Sequence, residues 1–346
     1  PFAARPGSGL TSPWESFIIR TVWEVMPVNF GVIIVTYNRK SLLEECLSCV
    51  LHQSAPFFQV CVVDNCSTDG TGEYLDQLAA RFKEDGGPEG GFLVFHLPEN
   101  RGGAGGFAFG LERMAEGPCD WVLIIDDDAM IGRTYMERIG QAILKNHFLA
   151  YSGAVKTEGA VDASHRRRIS NPLLMTYRPV DQAEYEKKAF VYDISTFCGL
   201  VIKTSLIREI GLPKAEYFIW FDDTEYCLRL RRRSPILNVN GAVLNHKTAV
   251  PGAAPPITWK HFYGFRNSID IGRAYSLCPP IYMAYTVLNH MAHIAIDWLQ
   301  LAFRWEDERT RSLRRYRMQI YRDVLAGRGR KPDGKDARYL PGSGPA

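Results

Sequence analysis

The chain has 346 residues, with 41 Lys and Arg against 38 Asp and Glu and a formal charge of +3. That length allows one large or two modest domains with a sizeable core. So small a charge excess, with no basic stripe interleaved with aromatics before about residue 300, argues against nucleic acid as a partner.

Residues 1–27 lack the basic, apolar and small-residue zones of a signal peptide. They read as a leader- or tag-like, disordered segment. From residue 28, short β-branched runs alternate with amphipathic stretches: FGVIIVTY, SLLEECLSCVLHQ, FQVCVVD, TGEYLDQLAARF, FLVFHL, GFAFGLERMA, WVLIID and RTYMERIGQAIL. Such alternation predicts an α/β fold with a mostly parallel sheet flanked by helices. The eight cysteines sit in apolar stretches and read as reduced core thiols, which fits a reducing cytoplasm. The CxxC of Cys46 and Cys49 has no second pair to make a metal or redox site with it.

After about residue 150 the regularity weakens. A loop with SHRRR (164–168) precedes the apolar runs FVYDISTF and GLVIKTSLI. EYFIWFDDTEYCLRL (216–230) reads as an apolar strand turning into an acidic helix start, and PILNVNGAVLNHK (235–247) as a strand ending in His246. One α/β unit is expected over 28–257, with halves 28–130 and 131–257. A helical region is expected over 258–330, and a disordered tail over 331–346. The stretch 281–303 is apolar but interrupted by Asn289, His290, His293 and Asp297, too polar to span a bilayer. With the basic run 309–322 it fits either a helix lying in the membrane interface or a core helix followed by a solvated charged one.

Thr36, Asp64, Asn100 and the triplet Asp126, Asp127, Asp128 fall at or just after expected strand ends, where ligands bind in such sheets. Three adjacent carboxylates held rigidly repel one another, and a cation relieves that repulsion. Mg²⁺ or Mn²⁺ takes one or two carboxylates and leaves other positions to water and phosphate. Alternation along an extended segment lets Asp126 and Asp128 converge while Asp127 faces elsewhere, and His246 is a candidate third ligand. NRGGAGGFAFG (100–110) reads as a glycine-rich turn before a helix, with Gly102, Gly103, Gly105 and Gly106 permitting close approach of a negative group. Its spacing fits neither G-x-G-x-x-G nor a P-loop. Asp222 and Asp223, with Glu225 close behind, supply a candidate general base.

Taken in order, TYNR, VVDNCSTDGT, NRGGAGGF, IIDDDA, FDDTEYCLRL, NHK and FYGFRN resemble the inverting family 2 glycosyltransferases of GT-A fold. The likeness covers about residues 28–270. The block from Asn100 to Ala129 is most similar to bacterial galactofuranosyltransferases, with rhamnosyltransferases close behind. The resemblance implies that Thr36, Tyr37, Asn38, Arg39 and Asp64 hold the nucleotide, and that Asn100, Gly103, Gly105, Gly106, Asp126 and Asp127 line the nucleotide-sugar pocket. It implies Asp126, Asp128 and His246 as ligands of Mn²⁺ or Mg²⁺ and Asp223 as catalytic base. Trp220, Asp222 and Glu225 would shape the acceptor site, and Arg266 would touch phosphate or acceptor. Asp127 departs from the usual non-acidic middle residue, which leaves the ligand pair open. The expected reaction moves galactofuranose from UDP-galactofuranose to a hydroxyl of a cell-surface glycan or lipid-linked acceptor, at the inner face of a bacterial plasma membrane. Rivals are a dTDP-rhamnose enzyme, a nucleotidyltransferase and a non-catalytic sugar-nucleotide-binding module.

Overall fold

The computed structural model describes residues 28–248, 257–302, 307–327, 335–336 and 338–341; the leader expected over 1–27 lies outside them. The nucleotide-side half runs β1 (Phe30–Thr36), α1 (Lys40–Leu51), β2 (Gln59–Asp64), α2 (Thr71–Asp85), β3 (Phe92–His96), α3 (Gly102–Glu116) and β4 (Trp121–Asp126). Then follow β5 (Ala129–Ile131), α4 (Tyr135–Lys145), β6 (Ala150–Thr157), β7 (Ala160–Val161), β8 (Arg166–Asn171), β9 (Thr176–Pro179), β10 (Ala189–Tyr192), β11 (Ile194–Ser195), β12 (Leu200–Lys203), α5 (Thr204–Ile210), α6 (Asp222–Leu230) and β13 (Ile236–His246). Among the described residues, three helices follow: α7 (Lys260–Tyr275), α8 (Pro279–Ala302) and α9 (Glu308–Leu325).

The main sheet has the order β10-β13-β6-β12-β4-β1-β2-β3. Strands β3, β2, β1 and β4 pair in parallel. Strand β12 is antiparallel to both β4 and β6, and β13 is parallel to β6. All but β12 and the edge strand β10 on this path therefore run the same way, the mostly parallel sheet that the alternation predicts. The chain leaves β1 for β2 on one side and returns to β4 on the other, so the crevice at the carboxyl end of β1 is the topological switch point.

The period-2 pattern of buried strands divides the core between the two faces. Ile33, Val35, Cys61, Val63, Val122 and Ile124 pack on one side; Val32, Ile34, Val60, Val62, Leu123 and Ile125 pack on the other. All eight cysteines are free thiols. A third cluster joins Phe218, Phe262, Tyr263, Ile320, Val324 and Tyr339.

Two expectations need correcting. Residues 216–221 form no strand: a 3-10 turn at Ala215–Tyr217 leads into an irregular turn with Phe218, Trp220 and Phe221 at positive φ. The tail expected to be disordered over 331–346 packs in part. Tyr339 is fully buried, stacks on Phe262 at 4.2 Å and donates to Asp323 Oδ2 at 2.8 Å. An aromatic ring with a satisfied hydroxyl anchors a segment whose composition alone reads as solvated. Among the described residues, no helix is long and apolar enough to cross a membrane.

Candidate active site

A cavity of about 420 Å³ opens at the carboxyl ends of β1, β4 and β13. Register explains what meets there. Thr36 lies opposite Asp64, and Val35 opposite Asp126. The antiparallel pairing of β5 with β13 sets His246 against Ala129, next to Asp128.

The aspartate triplet does not alternate as extended chain would, because β4 ends at Asp126 and a turn carries the next two residues. Asp127 accepts from Thr36 Oγ1 at 2.7 Å and from Arg39 Nη1 at 3.1 Å. Asp128 accepts from the same Arg39 nitrogen at 2.7 Å. His246 Nε2 lies 3.2 Å from Asp128 Oδ1, close enough for an ion pair but not aligned as a hydrogen bond. Asp126 and Asp127 thus line the cavity with His246, and Asp128 lies beside His246.

The electrostatics follow from that crowding. Burial, then the charges of Asp128 and Asp127, raises Asp126 to about 7. Burial raises Asp127 to about 6 against the opposing pull of Arg39 and Thr36. Burial would raise Asp128 too, but His246 and Arg39 outweigh it and hold this carboxyl below its usual value. Burial disfavours the His246 imidazolium, yet Asp128 more than compensates and its pKa is raised.

The opposite wall comes from α6. Asp222 and Asp223 occupy its first turn, where the helix dipole favours acids, and both line the cavity with Trp220. Burial, followed by repulsion from Asp223, pushes Asp222 well above the usual carboxylate range; Asp126 adds to the effect, so the two acidic clusters sense one another. Asp223 Oδ1 accepts from Thr224 Oγ1 at 2.9 Å.

Other expected residues sit elsewhere. Glu225, placed by sequence in the acceptor site, is buried and clasped by Arg229 at 2.8 Å and by the Tyr275 hydroxyl at 2.6 Å. Two positions past Asp223, the 100° step of a helix turns it away from the cavity. Gly105 and Gly106 lie within α3, which begins at Gly102, so the expected glycine-rich turn is the helix itself. A Cβ on Gly106 would come within 2.6 Å of Val35 Cγ1, and one on Gly105 within 2.5 Å of Arg101 Cβ. These two glycines serve packing rather than lining the pocket, whereas Gly102 and Gly103 do line it. Asn38 bridges two loops, donating its backbone N–H to Ser67 Oγ at 3.0 Å and accepting from Thr68 N at 2.7 Å. Asp64 is buried, with Ser67 N at 3.0 Å and His96 Nδ1 at 2.9 Å as partners. Thr36, Tyr37, Arg39 and Asn100 line the cavity; Asn38 and Asp64 stand outside its wall. Arg266 donates to the carbonyls of Glu216 at 2.6 Å and Tyr217 at 3.2 Å rather than facing the cavity.

Sequence reasoning missed Asn65, which links Asn100 Oδ1 and the Gly102 carbonyl, both at 3.0 Å. It also missed His165, Trp259, Lys260 and Pro341 in the wall, and Arg167, whose Nη2 is 3.8 Å from Asp223 Oδ2. The SHRRR run, expected as a loop, enters β8 at Arg166, where pairing with its neighbouring strands extends it, and its composition carried no sign of which acid it meets.

Among the described residues no three His, Cys, Asp or Glu side chains form a ready metal-holding group. The donor chemistry nevertheless suits a hard divalent cation. Asp128 Oδ1 and His246 Nδ1 are buried without hydrogen-bond partners, and Asp126 is a partly exposed carboxyl that its neighbours discourage from ionising. Two such oxygens leave other positions to phosphate and water.

The sequence model of Glycosyl transferase family 2 matches residues 31–209. Galactofuranosyltransferase GlfT1 of Mycobacterium tuberculosis is 30% identical over 214 residues, 60% of this chain and 66% of that protein. Poly(ribitol-phosphate) beta-N-acetylglucosaminyltransferase TarS of Staphylococcus aureus is 30% identical over 122 residues, 35% of this chain but only 20% of its own length. Among solved structures, S. aureus TarS 1-349 in complex with UDP-GlcNAc superposes with a TM-score of 0.52 at 16% identity, covering 91% of this chain and 98% of that one. GalNAc-T7 with UDP, GalNAc and Mn2+ gives 0.58 at 14% identity over 87% of this chain and 57% of that one. At such identities the structural likeness establishes the fold alone.

Proposed function

This chain belongs to glycosyl transferase family 2, and on that premise we propose that it is a metal-dependent inverting glycosyltransferase that moves galactofuranose from UDP-galactofuranose to an acceptor hydroxyl. The observation that carries this reading is that two acidic clusters, distant in sequence, line one cavity at the switch point of the sheet. The 30% identity to GlfT1 supports the choice of sugar.

In this reading the nucleotide lies along the ends of β1 and β2, between Thr36, Arg39 and Asn65. Asp126, Asp128 and His246 would hold a Mn²⁺ or Mg²⁺ ion, which supplies Lewis-acid neutralisation of the departing diphosphate. Asp223 takes the proton of the acceptor hydroxyl as its oxygen bonds to the anomeric carbon. The bond from that carbon to the diphosphate oxygen breaks on the opposite face, UDP leaves, and configuration inverts. Trp220 and Asp222 orient the acceptor beside the base, and the apolar walls from Phe107, Phe197 and Phe218 limit competing water.

The acceptor is a lipid-linked or cell-surface glycan approached from an anionic membrane surface. Support comes from α8, where exposed Ile281, Tyr285, Leu288 and Met291 recur at three- and four-residue intervals along one helix face, and exposed Ile296, Trp298 and Leu299 follow toward its end. The neighbouring α9 carries exposed Arg309, Arg315 and Arg322 for the headgroups.

Thermal-shift titration with UDP and with dTDP, each plus Mn²⁺, followed by product analysis, tests the reading. Preferential stabilisation by UDP and release of UDP with an inverted anomer are expected. Preference for dTDP would replace the sugar with rhamnose; pyrophosphate release would replace the reaction with nucleotidyl transfer; binding without turnover would leave a non-catalytic module. Flotation with phosphatidylglycerol vesicles tests the membrane surface, and protein left wholly in the aqueous fraction would refute it.

A further inference from the structure

The turn that carries Trp220 to the cavity has a backbone that aromatic residues seldom adopt. Phe218, Trp220 and Phe221 have φ of 62°, 65° and 69°, the sterically crowded left-handed region. Such a cluster persists only where its surroundings over-determine it. Here the surroundings are one face of α7. Asn267 is 1% exposed, and its Nδ2 donates to the carbonyls of Tyr217 at 3.0 Å, Ile219 at 3.2 Å and Trp220 at 2.8 Å. Arg266 Nε donates to Asn267 Oδ1 at 3.0 Å, which fixes the orientation of the amide. One and two turns earlier, Gly264 and His261 seat the Trp220 indole. A Cβ on Gly264 would lie 2.8 Å from Trp220 Cε3, and the His261 ring meets the indole at 5.1 Å. From the opposite side, Ala104 N donates to the Phe218 carbonyl at 3.2 Å.

We propose that Asn267 is a positioning residue for the reaction, holding the strained 218–221 turn so that Trp220 projects into the cavity and Asp223 enters the first turn of α6 beside it. This deepens the glycosyltransferase reading and rests on it for its kinetic consequence. A single planar amide can serve these carbonyls while its oxygen accepts from Arg266. A carboxylate at 267 has no proton to offer them, and an aliphatic residue of the same size leaves them unpaired in a buried place. Once released, the turn relaxes toward negative φ, and both Trp220 and Asp223 shift. Among the described residues, the hydrogen bonds of Asn267 go to Arg266 and to the 217–220 turn and none goes to β1, β2 or β4, on which the nucleotide side is built.

The test compares the wild type with Asn267→Leu, which keeps the volume, and Gly264→Ala, which displaces the indole without touching the amide. Misplacing the base and the acceptor platform is expected to lower kcat for transfer about 100-fold, while UDP affinity stays within about twofold, as for a distant independent site. A substrate-free readout accompanies this: acrylamide quenching of the Trp220 emission, isolated by subtracting the Trp220→Phe protein. In both variants that component should change its quenching constant. Unchanged Trp220 quenching, a kcat like the wild type, or a parallel loss of UDP affinity and kcat would each overturn the proposal. Should the wild type itself transfer no sugar, the functional reading fails, and the quenching comparison still decides whether Asn267 sets the turn.

Discussion

Arg167 Nη2 stands 3.8 Å from Asp223 Oδ2 and donates to Thr224 Oγ1 at 3.0 Å, joining β8 to the start of α6. This cation faces the proposed base from an element more than fifty residues away in sequence. Arg167→Met keeps the apolar stem and removes the charge and both contacts. The expected result is a fall in kcat of about tenfold, the equivalent of one charge-assisted contact of ~1.5 kcal/mol. UDP binding by calorimetry should not change, because Arg167 does not touch the nucleotide side.

Asp223→Asn preserves shape and Thr224 contacts while removing the basic oxygen. Transfer should drop by about 10²- to 10⁴-fold, the range for loss of a general base, with UDP affinity retained. Turnover close to wild type in a steady-state assay would remove Asp223 from its assigned role.

Asp126 gives a pH dependence with a definite sign. Burial and its two acidic neighbours raise it to about 7, above the ~3.9 of an unfolded aspartate. Between those values the native chain keeps a proton that the unfolded chain has lost, so this group's contribution to stability declines as pH rises from about 4 to about 7. Asp126→Asn should therefore raise Tm at pH 8 and leave it unchanged near pH 4. Cation binding runs the other way, since a ligating carboxylate and a ligating imidazole must both be deprotonated. Stabilisation by Mn²⁺ with UDP should grow from pH 6 to pH 8 in the wild type and be weak throughout in Asp126→Asn. Differential scanning fluorimetry across this range measures both effects.

Two glycines three positions apart should respond oppositely to alanine. A Cβ on Gly103 meets nothing within 4 Å, so Gly103→Ala should stabilise α3 by up to ~1 kcal/mol through helix propensity. It should also raise the donor KM, because the methyl enters the cavity wall. Gly106→Ala drives a methyl into Val35 at 2.6 Å and should cost about 1–3 kcal/mol from overpacking. Urea denaturation of the two variants distinguishes them.

The order of strands and helices through β4 could be read in advance because each element there carries its own period. Strands buried on both faces read as β-branched runs, and the helices between them as 3.6-residue stripes. The acids at the ends of β4 and at the start of α6 stood out for the same local reason: a run of apolar residues stops where charge begins. The segment 216–221 misled, since FIW has strand composition, yet its conformation is imposed by Asn267 and Gly264 from a helix that follows some forty residues later. Glu225 misled in the opposite way, a carboxylate near two others that helical geometry turns toward Arg229 and Tyr275.

Local pattern, then, was enough for the layered α/β architecture and for the chemical types gathered at the strand ends, because burial and periodicity act over a few neighbouring residues. Folding in three dimensions settled the partnerships: Arg39 with Asp127 and Asp128, His246 beside Asp128, Arg167 beside Asp223, and Asn267 under the Trp220 turn. Those contacts depend on strand pairing and helix packing between distant segments, and no short window of sequence encodes which remote side chain will supply the opposite charge or the missing hydrogen bond.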